Sequence, residues 1–201
     1  GHIISQNSFT DTRITSGGLD WYGGAIHVSS DTTGISFNLF KNTYVYSSGA
    51  ANGPGGGGAI FINNQNVTIS HNTFDGTYAQ VDANAGNYVM GGAISVNGNN
   101  ATIRLNNFIN TASKGLSSSG GAIYIGPSAN NAIVQHNNFS GTTMLPGATQ
   151  NVFGIGLASG SSTIDTGTMV GVTSPANWWG PTAVSGASCS AATPAGICVT
   201  T

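Results

Sequence analysis

Asn72-Thr73-Phe74-Asp75-Gly76-Thr77 is answered one period later by Asn106-Asn107-Phe108-Ile109-Asn110-Thr111, and the pattern they share, Asn-x-Phe-x-[Asp/Asn/Gly]-Thr, decides the fold. Three further copies are Asn7-Ser8-Phe9-Thr10-Asp11-Thr12, Asn38-Leu39-Phe40-Lys41-Asn42-Thr43 and Asn137-Asn138-Phe139-Ser140-Gly141-Thr142. In a looser sixth copy, Asn177-Trp178-Trp179-Gly180-Pro181-Thr182, Trp takes the aromatic place. The aromatic positions step by 31, 34, 34, 31 and 40 residues. A recurring period in this range marks one supersecondary unit stacked on copies of itself.

A second signature runs in phase with the first. Gly-Gly-Ala-Ile occurs at Gly23 to Ile26, Gly57 to Ile60, Gly91 to Ile94 and Gly120 to Ile123, with a decayed copy at Gly154-Ile155-Gly156-Leu157. Each intact copy continues apolar, variable, apolar, as in Ile60-Phe61-Ile62 and Ile94-Ser95-Val96. A second short alternation precedes each Asn-x-Phe, as in Ile69-Ser70-His71 and Ile103-Arg104-Leu105. Period two with one buried face is strand patterning. Two or three short strands per repeat, separated by turn residues, predict an all-β fold: a single-stranded parallel β-helix of about six coils. The preferred crossover of parallel strands makes its expected hand right-handed.

The repeated residues have physical jobs in such a column, where copies stack about 4.8 Å apart. Ile and Val form the dry core. The aromatic file Phe9, Phe40, Phe74, Phe108, Phe139 and Trp179 is expected to stack ring on ring. The file Asn7, Asn38, Asn72, Asn106, Asn137 and Asn177 is expected to form an amide ladder, because a carboxamide both donates and accepts. The Thr that ends each motif invites an ice-binding face. Such faces need two regular outward Thr files, and only one is present.

A coil needs only about 20 residues if its strands have the usual length. The surplus falls between each Thr and the next Gly-Gly, at roughly Arg13 to Tyr22, Tyr44 to Gly56, Tyr78 to Met90, Ala112 to Ser119 and Thr143 to Phe153. Insertions at one phase emerge on one side of a solenoid, often the binding side. Trp21, Tyr22, Tyr44, Tyr46, Tyr78 and Tyr88 lie in them and are the expected contact residues, on loops.

Composition bounds the function. The chain has 201 residues, is 5% charged with a net charge of −2, and its acids are all Asp. So few cations cannot neutralise a phosphate backbone, which excludes nucleic acid as a partner. A polar surface built from Asn, Ser, Thr and Gly fits a protein outside the cell, at the cell surface or within an assembly. No membrane-inserting run is present. Residues 1–182 are expected to be the repeats and 183–201 a capping segment. There Cys189 and Cys198 flank a Pro-Gly loop. The pair is expected to close a disulfide, worth about 2–3 kcal/mol by chain entropy and implying an oxidising compartment; free thiols are the alternative.

The Gly-Gly-Ala-Ile tetrads alternating with Asn-x-Phe resemble right-handed parallel β-helix repeats. They are most similar to those of polymorphic outer-membrane-protein-type adhesins, whose second motif is Phe-x-x-Asn. Asn177-Trp178-Trp179-Gly180 resembles the segment closing many secreted β-helix domains. The resemblance implies a surface-exposed adhesive or structural protein.

β-Helices also host polysaccharide lyases and hydrolases, which need clustered acids. Here Asp11, Asp20, Asp31, Asp75, Asp82 and Asp165 form neither a file nor an Asp-x-Asp element. His71 and His136 share a repeat position, but Leu105 separates them, so one metal ion cannot take both. The expectation is therefore a noncatalytic extracellular or cell-surface β-solenoid with a structural or adhesive role and no cofactor. Its partners are expected to be itself, in a self-stacking filament or sheath or as a fragment of a larger surface protein, or surface glycans and proteins. The alternative is a secreted carbohydrate-binding module or polysaccharide lyase or hydrolase.

Overall fold

The computed structural model describes residues 1–16, 21–48, 55–82, 88–115, 117–144, 154–158, 163–164 and 197–200. Every strand pairing within them is parallel, and the strands assemble into five sheets that run the length of a β-solenoid. The coil of residues 33–62 shows the plan. Its strands are Thr33–Ser36, Leu39–Lys41, Tyr44–Ser47, Gly55–Gly56 and Ile60–Ile62. They belong in turn to a leading sheet, a phenylalanine sheet, a tyrosine sheet, a short sheet and the Gly-Gly-Ala-Ile sheet.

Two expectations change. Each coil has five strands, and the surplus segments hold two of them: the tyrosine sheet and the short sheet. The reason is local patterning. Tyr44-Val45-Tyr46-Ser47 and Tyr78-Ala79-Gln80-Val81 alternate with period two, burying Val45, Ala79 and Val81. The number of coils also falls. Among the described residues four coils carry all five strands, rather than about six. A fifth contributes Ile133–Gln135, Asn138–Ser140, Thr143–Met144 and Ile155–Ala158, and one more strand, Thr163–Ile164 or Ile197–Thr200, extends two of the sheets. The regular spacing is lost where the repeat lengthens after Phe139 and the Gly-Gly-Ala-Ile motif decays. The sixth motif, with Asn177 and Trp179, lies outside the described residues.

Register places like on like. Phe9, Phe40, Phe74, Phe108 and Phe139 stack with centroids 4.8–5.0 Å apart and ring planes within 7° of parallel. Ile60 pairs with Ile26 and Ile94, and Ile94 with Ile123. With Ile35, Ile69, Ile103 and Val134 of the leading sheet they form the main core. A separate core of Trp21, Val45, Ala79, Val81 and Val89 lies between the tyrosine and short sheets. The motif Thr side chains point inward: Thr43, Thr77 and Thr111 are fully buried, so this file offers no outward face to ice.

Corners explain the remaining motif positions. The degenerate place after Phe is filled by Asp11, Asn42, Gly76, Asn110 and Gly141, with φ from +52° to +65°. Asp, Asn and Gly are the residues that tolerate this left-handed backbone. The first glycine of each tetrad also has positive φ, and the second, at Gly24, Gly58 and Gly92, has no room for a side chain. A Cβ on Gly58 would stand 2.1 Å from the Gly92 carbonyl oxygen and 2.4 Å from that of Tyr78.

Candidate functional site

The Asn file is an unbroken ladder. Asn38 donates from its backbone N (2.9 Å) and Nδ2 (3.0 Å) to Asn72 Oδ1, and Asn72 and Asn106 repeat the pattern toward Asn106 and Asn137. Each Nδ2 also reaches a carbonyl of the leading sheet in the preceding coil, as Asn106 does to Ile69 at 3.0 Å. These carboxamides are buried. Their role is to hold the corner between the leading and phenylalanine sheets.

The six aromatic residues expected on contact loops all stand on strands. Trp21 is 2% exposed and belongs to the second core; its indole lies over Gly55, where a Cβ would come within 2.3 Å of the ring. Tyr22 stacks on Phe61 at 4.1 Å. Tyr44 and Tyr78 stack on each other at 4.6 Å, and the Lys114 ammonium sits 4.4 Å from the Tyr78 ring centroid. Arg13 Nη1 donates to the Tyr44 hydroxyl at 3.3 Å, and Tyr46 donates its hydroxyl proton to Asp82 Oδ2 at 2.7 Å. That bond to a carboxylate pushes the Tyr46 pKa up. Tyr44 and Lys114 thus both lie over the Tyr78 ring.

A concave surface forms elsewhere, at the Gly-Gly corner. There the outward side chains of the short sheet and of the Gly-Gly-Ala-Ile sheet meet, as Tyr22 meets Phe61. In the third and fourth coils the same angle opens into a cleft of about 460 Å³ lined by Tyr88, Met90, Tyr124, Asn63, Asn97 and Ser128. Tyr124 is 8% exposed and Tyr88 53%. Burial pushes the Tyr124 pKa up and keeps its phenol neutral. Asn63, Asn97 and Ser128 are shared with a polar trough that continues past Asp31 and Gln65. Asp31 accepts from Asn64 Nδ2 (3.2 Å), Gln65 N (3.1 Å) and Gln65 Nε2 (3.2 Å). Hydrogen bonds from the Gln65 side chain, then from its backbone and from Asn64, hold the Asp31 pKa below the usual carboxylate range.

The other acids stand apart. Asp11 is at the corner after Phe9, Asp75 is on the phenylalanine sheet two coils on, and Asp82 follows the tyrosine strand of that coil. Asp20 and Asp165 lie outside the described residues. Among the described residues no three of His, Cys, Asp or Glu gather into a metal-holding group. His71 stacks on Phe37 at 4.7 Å, in the corner file Gln6, Phe37, His71, Leu105, His136, where every φ lies between +54° and +58°. The Cys198 backbone pairs with Gly156 in the Gly-Gly-Ala-Ile sheet; Cys189 lies outside the described residues, and with it the expected disulfide.

The cleft was missed in the sequence because its residues come from different phases of three coils. Asn63-Asn64-Gln65 and Asn97-Gly98-Asn99 were the available signal, an amide cluster following the second and third Gly-Gly-Ala-Ile strands. Comparison of the chain with protein-family models, with curated proteins and with solved structures finds no match.

Proposed function

We propose that this chain is a noncatalytic β-solenoid of the extracellular space or cell surface with a structural and adhesive role, in the manner of the adhesin repeats its motifs resemble. The supporting observation is the continuous self-stacking of side chains across coils. The Phe file, the Asn ladder and the Ile and Val files tie successive coils together through the same contacts. A column bonded in this way is stiff along its axis and carries outward repeats such as the exposed amides Asn66, Asn100 and Asn131 and the tyrosines Tyr44 and Tyr78. The described acids are spread along the solenoid: Asp11 and Asp75 stand two coils apart beside the phenylalanine sheet, and Asp31 and Asp82 follow other sheets.

The test is adhesion of the immobilised protein to cells and to purified surface material, alongside assays on pectin, alginate and chitin. Retention on a surface without release of sugar ends is expected. Release of reducing or unsaturated ends would overturn the proposal.

Self-association is a second form of the same role. The files that join one coil to the next, such as Phe40 on Phe74 and Asn72 on Asn106, are the contacts by which one copy would stack on another. Fibres of the purified protein in electron micrographs are the expected outcome of such stacking; uniform short particles would exclude it.

A further inference from the structure

Resting on the adhesive reading, we infer that the cleft between the short sheet and the Gly-Gly-Ala-Ile sheet, with its continuing trough, binds a neutral oligosaccharide segment laid along the solenoid axis. Four observations converge on this ligand class.

The first is the donor set. Asn63 and Asn97 hold equivalent places in successive coils: Asn63 N donates to the Val28 carbonyl and Asn97 N to the Ile62 carbonyl. Their backbone N–H groups are committed to the solenoid, while both residues line the cleft and the trough. A sugar hydroxyl is donor and acceptor at once, and a carboxamide answers both functions. The two amides stand one strand spacing apart, about 4.8 Å, close to the rise of a hexose unit in an extended chain.

The second is apolar lining. Tyr88 and Met90 on the short sheet and Tyr124 on the Gly-Gly-Ala-Ile sheet line the cleft from its two sheets, suited to the C–H face of a pyranose. This pairing of an aromatic lining with a few fixed polar groups is the usual make-up of a small-molecule site, and a volume of about 460 Å³ lies within the usual range.

The third is charge. Among the described residues no Lys, Arg or His lines the cleft or the trough, and the one carboxylate lining them, Asp31, is occupied by donors from Gln65 and Asn64. An acidic sugar would find no counter-ion there, whereas a neutral one loses nothing.

The fourth is a place kept open. A Cβ on Gly126 would stand 2.4 Å from Asn97 Oδ1, so the carboxamide of Asn97 occupies space that any other residue at 126 would fill.

The experiment is a glycan array carrying neutral plant, fungal and bacterial oligosaccharides, glycoprotein glycans and uronic-acid polymers. Calorimetry with the neutral hexasaccharide that binds best then follows. The array arms distinguish a free polysaccharide from a glycan carried on protein. Wild type is expected to retain neutral oligosaccharides. Asn63→Ala, Asn97→Ala and Gly126→Ala are each expected to weaken binding at least tenfold, and Tyr46→Phe, on the tyrosine sheet, to leave it unchanged. Asn63 is exposed, so its variant keeps the fold, which circular dichroism verifies. Failure to bind any neutral oligosaccharide at millimolar concentration, a preference for acidic polymers, or unchanged binding by Asn63→Ala and Asn97→Ala would each overturn the inference. Surface adhesion that persists without oligosaccharide binding would overturn it while leaving the adhesive role intact.

Discussion

Asn106 Oδ1 accepts two hydrogen bonds from Asn72, one from the backbone N at 2.9 Å and one from Nδ2 at 3.0 Å, and both residues are 1% exposed. One side-chain oxygen thus satisfies a main-chain donor that the strand ladders do not reach. The same oxygen fixes the rotamer of the neighbouring amide.

Truncating Asn106 to Ala removes that acceptor and the donors to the Ile69 and Arg104 carbonyls. The buried Asn72 backbone N then loses its acceptor, at about 1–3 kcal/mol, while Asn72 Nδ2 and the Arg104 carbonyl each lose one of their bonds. A total loss of about 2–5 kcal/mol is expected as a lowered urea midpoint. Asn7→Ala, at the exposed end of the ladder, is expected to cost less than about 1 kcal/mol.

Leu105 sits at φ +57° and is 44% exposed, a conformation and an environment that both disfavour leucine. Leu105→Asn relieves the left-handed strain and is expected to stabilise the chain by about 1 kcal/mol. A thermal midpoint at or below the parent value would show that the Leu105 side chain makes a compensating contact.

Two glycines of positive φ should respond very unequally. At Gly57 a Cβ would meet the Ile60 carbonyl oxygen at 2.1 Å, so Gly57→Ala is expected to cost at least about 2 kcal/mol. At Gly76 the obstacle is the Asn42 side chain at 2.8 Å, and Asn42 and Asn110 already occupy the same corner in adjacent coils. Gly76→Asn is expected to change stability by no more than about 0.5 kcal/mol. Equilibrium unfolding of the two variants side by side checks the contrast.

Trp21 fills the second core. Trp21→Ala is expected to cost about 3–5 kcal/mol in thermal or urea unfolding. Its effect on ligand retention should be no greater than that lost stability explains, because the indole lies inside the coil. Selective loss of ligand binding with unchanged stability would place it at a contact surface after all.

Asp31 carries a pH signature. Its hydrogen bonds favour the carboxylate, so its folded pKa is depressed. The stability it contributes is present above the unfolded pKa and is lost as pH falls through the depressed folded value. Carboxyl NMR titration should place its midpoint below about 3.9, the ordinary value. Gln65→Ala should move it upward but short of that value, since the Gln65 backbone N and Asn64 continue to donate. An unshifted midpoint in the parent would remove Asp31 from the bonded trough.

Legibility followed periodicity. Phe40, Phe74 and Phe108 were readable as a stack because identical residues at a fixed step fall into one file when strands pair in parallel register. The tyrosine strands are equally periodic: Val45 and Ala79, each directly after a tyrosine, turn inward while Tyr44 and Tyr78 share the opposite face. Trp21 carried no local sign of burial, since its cover comes from Val45, Val89 and the bare backbone of Gly55, all in later coils.

The amino-acid sequence by itself determined the coil: its parallel register, its Phe and Asn files, and the glycine corners, because each follows from residue types repeating at one step. Only the tertiary structure decided which side is concave. That depends on the angle at which two sheets meet and on which side chains, such as Asn63, Asn97 and Tyr124, are carried to one cleft from coils a full period apart.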